Sequence, residues 1–135
     1  VVFPYISLKE LIMIFVFGSN LGGIHGAGAA RHAWEHEGAI LHQGIGHHGN
    51  SYAIPTKDKT IRHSLPLVEI KGYVDDFIEY ARAHPEFQFM VTRIGCGLAG
   101  FTNEQIAPLF VNAPKNCYFD KDWRIFMLDA YFWNA

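Results

Sequence analysis

VTRIGCGLAGF, residues 91–101, passes from a β-branched entry into a loop with glycines at 95, 97 and 100 around Cys96. Thr102 follows as a helix N-cap before NEQIAPLF, so the stretch reads as strand, glycine loop, helix N-terminus. The same grammar occurs earlier. Residues 10–18, ELIMIFVFG, are a continuous β-branched and aromatic run ended by glycine, with a buried strand expected at 13–17. SNLGGIHGAG, residues 19–28, is a second glycine-rich loop, and a helix is expected over 27–37 with Ala29, Ala30, Ala33 and Trp34 as its apolar face and Gly38 as its stop.

Working outward, AILHQG (39–44) reads as a short strand, GIGHHG (44–49) as turn material, and SYAIPTKD (51–58) as a strand broken by Pro55. Residues 65–84 show helical spacing at Val68, Ile70, Val74, Phe77, Ile78 and Ala81, with Pro66 in the first turn and Pro85 as the stop. FQFMVTR (87–93) and NCYF (116–119) read as strands. The aromatic tail over 120–135 suits a strand, a helix or an oligomer contact. Alternating strands and helices imply one three-layer α/β domain over 1–135, with a mixed, largely parallel sheet and an N-terminal extension at 1–12. Ligands of such sheets bind beyond the carboxyl ends of the strands. Both glycine loops fall there, where bare backbone N–H groups and a helix N-terminus favour a phosphate; two loops suit a diphosphate.

Composition narrows the function classes. Half of the 135 residues are hydrophobic, enough for a core, and 18% are charged, which argues against a disordered chain. A net charge of −2 argues against a broad nucleic-acid or anionic-membrane surface while allowing a local cationic pocket. No apolar run approaches the roughly 20 residues of a bilayer span, and the opening lacks the basic region and cleavage site of a signal peptide. Cys96 and Cys117, outside any CxxC pattern, point to free thiols in a reducing, cytoplasmic setting.

Several motifs have a plainer reading beside the functional one. GIGHHG matches GxGxxG but precedes a strand, not a helix, so it lacks the context of a dinucleotide fingerprint. His32 and His36 have metal-ligand spacing, yet HAWEH is not HExxH, and the pair reads first as a solvated helix face. His47 and His48 read first as a turn pair, and no metal or cofactor site is called for. Cys96 near a helix N-terminus could carry a lowered pKa; the plainer reading is a small buried loop residue. Lys57, after a strand and Pro55–Thr56, suits a phosphate partner, an amine nucleophile or a solvated loop lysine like Lys59.

At these residues the chain resembles the macrodomain family of ADP-ribose-binding modules. Residues 18–39, GSNLGGIHGAGAARHAWEHEGA, resemble the loop and helix that cradle the distal ribose and part of the diphosphate, and IGCGLAGF resembles the second diphosphate loop. YAIPTKD and TRIGCGLAG are most similar to the subgroup that includes terminal ADP-ribose protein glycohydrolase and the DarG antitoxin. The likeness covers about residues 14–119. It implies a macrodomain-like fold and a site made of Asn20, Gly22, Gly23, Gly26, Ala27 and Gly28 from the first loop, Thr56 and Lys57 from the second segment, and Arg93, Gly95, Cys96, Gly97, Leu98, Ala99, Gly100 and Phe101 from the third. Asn20 matches an asparagine that touches the distal ribose. Lys57 matches the subgroup's catalytic lysine, which attacks the anomeric carbon. The subgroup's aspartate after Gly-Cys-Gly-Leu is replaced by Ala99, which can neither activate water nor move a proton.

Three nucleotide readings follow from the resemblance: binding of ADP-ribose or an ADP-ribosylated macromolecule without turnover; hydrolysis through Lys57 with Asp58, His25 or Glu104 as acid or base; and binding of a different nucleotide, or action on a relative such as ADP-ribose 1″-phosphate. The alternative is an interaction domain whose glycine loops are tight turns and whose aromatic tail, over 123–133, is its partner surface. A homodimer through the tail over 120–135 is a further expectation, and no membrane partner is expected.

Overall fold

The computed structural model describes residues 12–135. The N-terminal extension expected at 1–12 therefore lies outside the described residues except for Ile12, which opens the first strand. The chain runs β1 (Ile12–Asn20), α1 (Gly28–His36), β2 (Gly46–His48), β3 (Ser51–Lys57), α2 (Leu67–Ala83), β4 (Phe87–Val91), α3 (Asn103–Ile106), a 3-10 turn (Ala107–Phe110), β5 (Cys117–Phe119), a 3-10 helix (Lys121–Phe126) and β6 (Tyr131–Phe132). These strands form one six-stranded sheet in the order β2-β3-β1-β4-β5-β6. Every pairing is parallel except β2 with β3. The fold is α/β with a mixed, largely parallel sheet, as the alternation of elements implies.

The period-two alternation of β1 divides the core between the two faces of the sheet. Ile14 and Val16 join Tyr52, Ile54, Phe89 and Val91 beneath α2, in the larger cluster. Phe15 and Phe17 turn the other way and pack with Ala53 against Ala30 and Ala33 of α1. The small α1 residues let that helix lie close to two phenylalanines. On α2, Ile70, Val74, Phe77, Ile78 and Ala81 form one buried stripe. Full burial of a side chain such as Phe77 stabilises by about 1.5–3 kcal/mol.

Several expectations need correction. Residues 39–44 form no strand. Their backbone folds onto the first glycine loop, with His42 N–H donating to the Gly23 carbonyl at 2.9 Å. The strand instead occupies 46–48, part of the presumed turn, because Gly49 at φ +58 lets the chain reverse and pair His48 with Ser51. Pro55 does not break β3. Beyond Ala53 that strand has lost its β2 partner and is an edge, where proline is tolerated. Trp34 and Val68, expected on apolar faces, are 44% and 77% exposed; each lies off the stripe that its helix buries. The aromatic tail is built into the domain. Trp123 is fully buried, Trp133 donates its indole N–H to the Val91 carbonyl at 3.0 Å, and β6 extends the sheet.

Candidate functional site

β1 has β3 on one side and β4 on the other, and the chain leaves β1 toward α1 but enters β4 from α2. At such a switch point the loops after neighbouring strands diverge to opposite faces and open a crevice. A cleft of about 790 Å³ lies there. Its walls are the end of β1 with the first glycine loop, the end of β3, and residues 92–99 after β4.

Among the expected site residues, Asn20, Gly26, Ala27, Gly28, Thr56, Lys57, Arg93, Gly95, Cys96, Gly97, Leu98 and Ala99 line this cleft. Gly22, Gly23, Gly100 and Phe101 do not. Side chains at Gly22 and Gly23 would run into the backbone of Lys59 and of residues 42–43, so these glycines serve loop-to-loop packing. Gly100 adopts φ +81 in a turn closed by its N–H to the Gly97 carbonyl, and Phe101 packs against the core. Gly26 and Gly97 differ from these. A Cβ on either would meet nothing within 4 Å, and neither needs a positive φ. Protein packing gives no reason for a missing side chain at these two positions, and both border the cleft.

The hydrogen-bonding capacity of the cleft lies mainly in its backbone. The side chain of Asn20 braces the first loop: Nδ2 donates to the Ile24 carbonyl at 2.8 Å and Oδ1 accepts the Ile24 N–H at 2.9 Å. Ser19 donates to the Gly44 carbonyl, Thr56 to that of Ser19 and Thr92 to that of Val16. By contrast, the N–H groups of residues 26–30 find no acceptor among the described residues, and Ala27 caps α1 without a side-chain bond. The N–H groups of Gly97, Leu98 and Ala99 are likewise without an acceptor there. Two clusters of unsatisfied donors thus border one cleft.

Its charged wall residues, Lys57 and Arg93, are both cationic, and no carboxylate is among the described lining residues. Lys57 Nζ donates to the Ile61 carbonyl at 3.3 Å and has no carboxylate partner among the described residues. Arg93 stands 3.9 Å from Asp120 and 3.8 Å from Asp122. Partly exposed pairs at that separation contribute about 0–1 kcal/mol, so an anion can compete for the guanidinium.

Comparison of the chain with protein-family models, with curated proteins and with solved structures returns no match. None of the acid or base candidates lines the cleft. Asp58 sits half-buried in the following loop, where a hydrogen bond from the Thr60 hydroxyl holds its carboxyl below the ordinary range. His25 is buried against Phe17 with Nε2 at 3.0 Å from the Ile40 carbonyl. Glu104 lies exposed in the first turn of α3. Burial pushes the Cys96 thiol up, against the weaker pull of Arg93, which removes the basis for a thiolate. His32 and His36 lie side by side on α1 with their rings tilted by 41°, and among the described residues no three His, Cys, Asp or Glu side chains converge on a metal-sized site.

The sequence did not point to Ser19, Ile24, Ile61 or Thr92 as wall residues. Ser19 and Thr92 were accessible to it, because each stands where a strand gives way to a glycine loop. Ile61 had no such signal; it reaches the cleft through the folding of residues 58–64.

Proposed function

We propose that the cleft binds ADP-ribose, or a closely related nucleoside diphosphate-ribose, either free or attached to a modified macromolecule. The observation that carries this reading is the convergence of two groups of unsatisfied backbone N–H donors, at 26–30 and 97–99, with Lys57 and Arg93 around one cleft lacking a described carboxylate. A diphosphate offers two anionic groups to two such donor clusters, and the helix N-terminus of α1 adds its positive end. Gly26 and Gly97, bare without a packing reason, let a ligand approach the backbone closely. The apolar lining residues Ile24, Ile61 and Leu98 suit the carbon-rich remainder of a nucleotide. A volume of about 790 Å³ lies within the range of small-molecule sites. The resemblance of GSNLGGIHGAG and RIGCGL to macrodomain loops narrows the nucleotide to ADP-ribose.

Binding without turnover is the form of this reading that the cleft supports best. Ala99 stands at the subgroup's aspartate position, and among the described residues no carboxylate lines the cleft to transfer a proton beside Lys57. Lys57 then serves as a phosphate or ribose contact. Calorimetric titration with ADP-ribose, with AMP and ADP as controls, tests the proposal. Micromolar affinity that prefers ADP-ribose supports it, and absence of heat for all three ligands overturns it. Release of ADP-ribose from a modified protein by the wild type, abolished in Lys57→Ala, would replace binding with hydrolysis.

A further inference from the structure

Ile61 is a β-branched residue at φ +60, a conformation that glycine and asparagine adopt readily and isoleucine does not. Core packing does not account for it: the side chain is 42% exposed and belongs to neither hydrophobic cluster. The surrounding loop imposes the conformation instead. Ile61 N–H donates to the Asp58 carbonyl at 3.1 Å, Asp58 N–H donates to the His63 carbonyl at 2.8 Å, and the Asp58 carboxylate accepts from the Thr60 N–H and hydroxyl. Ser64 then ties the loop to the carbonyl of Ala99 at 2.6 Å. Two consequences converge on the cleft. The Ile61 carbonyl receives the Lys57 ammonium at 3.3 Å, and Ile61 lines the same cleft as Lys57 and Leu98.

We infer that Ile61 is a specificity residue of this site: its side chain, next to the carbonyl that receives Lys57, covers the carbon-rich part of the nucleotide adjoining the anionic group. The inference rests on the ADP-ribose reading above. It gives a physical reason for an isoleucine where the backbone favours glycine. Strain held in place by a braced loop is a recurrent property of binding sites.

The test compares Ile61→Asn, Ile61→Gly and Ile61→Val with the wild type by thermal unfolding without ligand and by ADP-ribose titration. Ile61→Asn relieves the backbone and removes the apolar wall; its unfolding midpoint is expected to rise by a few degrees while affinity falls about tenfold. Ile61→Gly is expected to lose affinity similarly. Ile61→Val keeps a branched side chain and stays within about twofold of the wild type in affinity. A purely structural role would move stability and affinity together, so their opposite movement is the result that supports the inference. Wild-type binding matched by Ile61→Asn overturns the role of Ile61 alone. Failure of the wild type to bind overturns the ADP-ribose reading, and this inference falls with it.

Discussion

Ser64 donates its hydroxyl to the main-chain carbonyl of Ala99 at 2.6 Å, joining loops 35 residues apart in sequence. The bond links the segment that presents Lys57 and Ile61 to the glycine loop after β4, so two walls of the cleft share one tether. Ser64→Ala removes a neutral, exposed hydrogen bond of about 0.5–1.5 kcal/mol. Its unfolding midpoint should fall by a few degrees at most, and hydrogen exchange should accelerate together over 58–64 and at Gly100 and Phe101, whose N–H groups are bonded within the glycine loop. Exchange that changes in only one of the two loops would show that the tether does not couple them.

The glycines divide into two experimental classes. Gly97→Ala adds a methyl group to open space without a φ penalty, so the fold should keep its unfolding midpoint within a degree or two while ligand affinity falls about tenfold or more. Gly26→Ala should behave in the same way. Gly44→Ala drives its methyl group into the Asn20 carbonyl and should unfold or markedly destabilise the domain. Thermal melts beside titrations separate the classes; a Gly97→Ala protein that melts early would remove the argument that this glycine is kept bare for a ligand.

Lys57→Ala and Arg93→Ala should each weaken ADP-ribose binding by about ten- to a hundredfold, the range for loss of a charge-assisted contact of about 1.5–3 kcal/mol. The Arg93 loss should be the smaller, because Asp120 and Asp122 already compete for the guanidinium. Raising the salt concentration should weaken wild-type binding more than that of either variant. Unchanged affinity in Lys57→Ala would disprove the assignment of that lysine.

Burial pushes the Cys117 thiol up to about 12 and the Tyr52 hydroxyl also to about 12. Both groups keep their protons longer in the folded chain than in the unfolded one. Stability is therefore full below the unfolded pKa values, 9.0 for the thiol and 10.0 for the hydroxyl, and is lost as pH rises from there toward 12. The urea midpoint should decline across that interval, with Cys117 contributing up to about 1.4 kcal/mol per pH unit. Cys117→Ala should show a shallower alkaline decline despite a lower stability at neutral pH. An equal slope in both proteins would place the titration elsewhere.

Acid acts through a different group. The Thr60 hydroxyl holds the Asp58 carboxyl low, so its contribution to the 58–64 loop is present above the unfolded pKa and is lost as pH falls through the lower folded value. Exchange protection in that loop should decline at acid pH in the wild type and be weak at every pH in Asp58→Ala. Similar acid sensitivity in the two proteins would rule out Asp58 as its source.

The amino-acid sequence by itself determined the elements whose signals are local. The apolar runs of β1 and β4, the stripe of α2 and the Thr102 cap were legible because periodicity and capping act over a few residues. The cationic and glycine-rich cleft was also largely legible, since strand ends that lead into glycine loops at helix N-termini carry their own chemistry. Tertiary structure alone decided the rest. The three-residue β2 and two-residue β6 exist because a neighbouring strand pairs with them, which no local pattern encodes. Gly22 and Gly23 lost their expected place in the site because loops distant in sequence press against them. Ile61 gained its place through hydrogen bonds that hold an unfavourable φ and turn the residue toward Lys57. Local propensity opposes that conformation, and the braced loop overrides it.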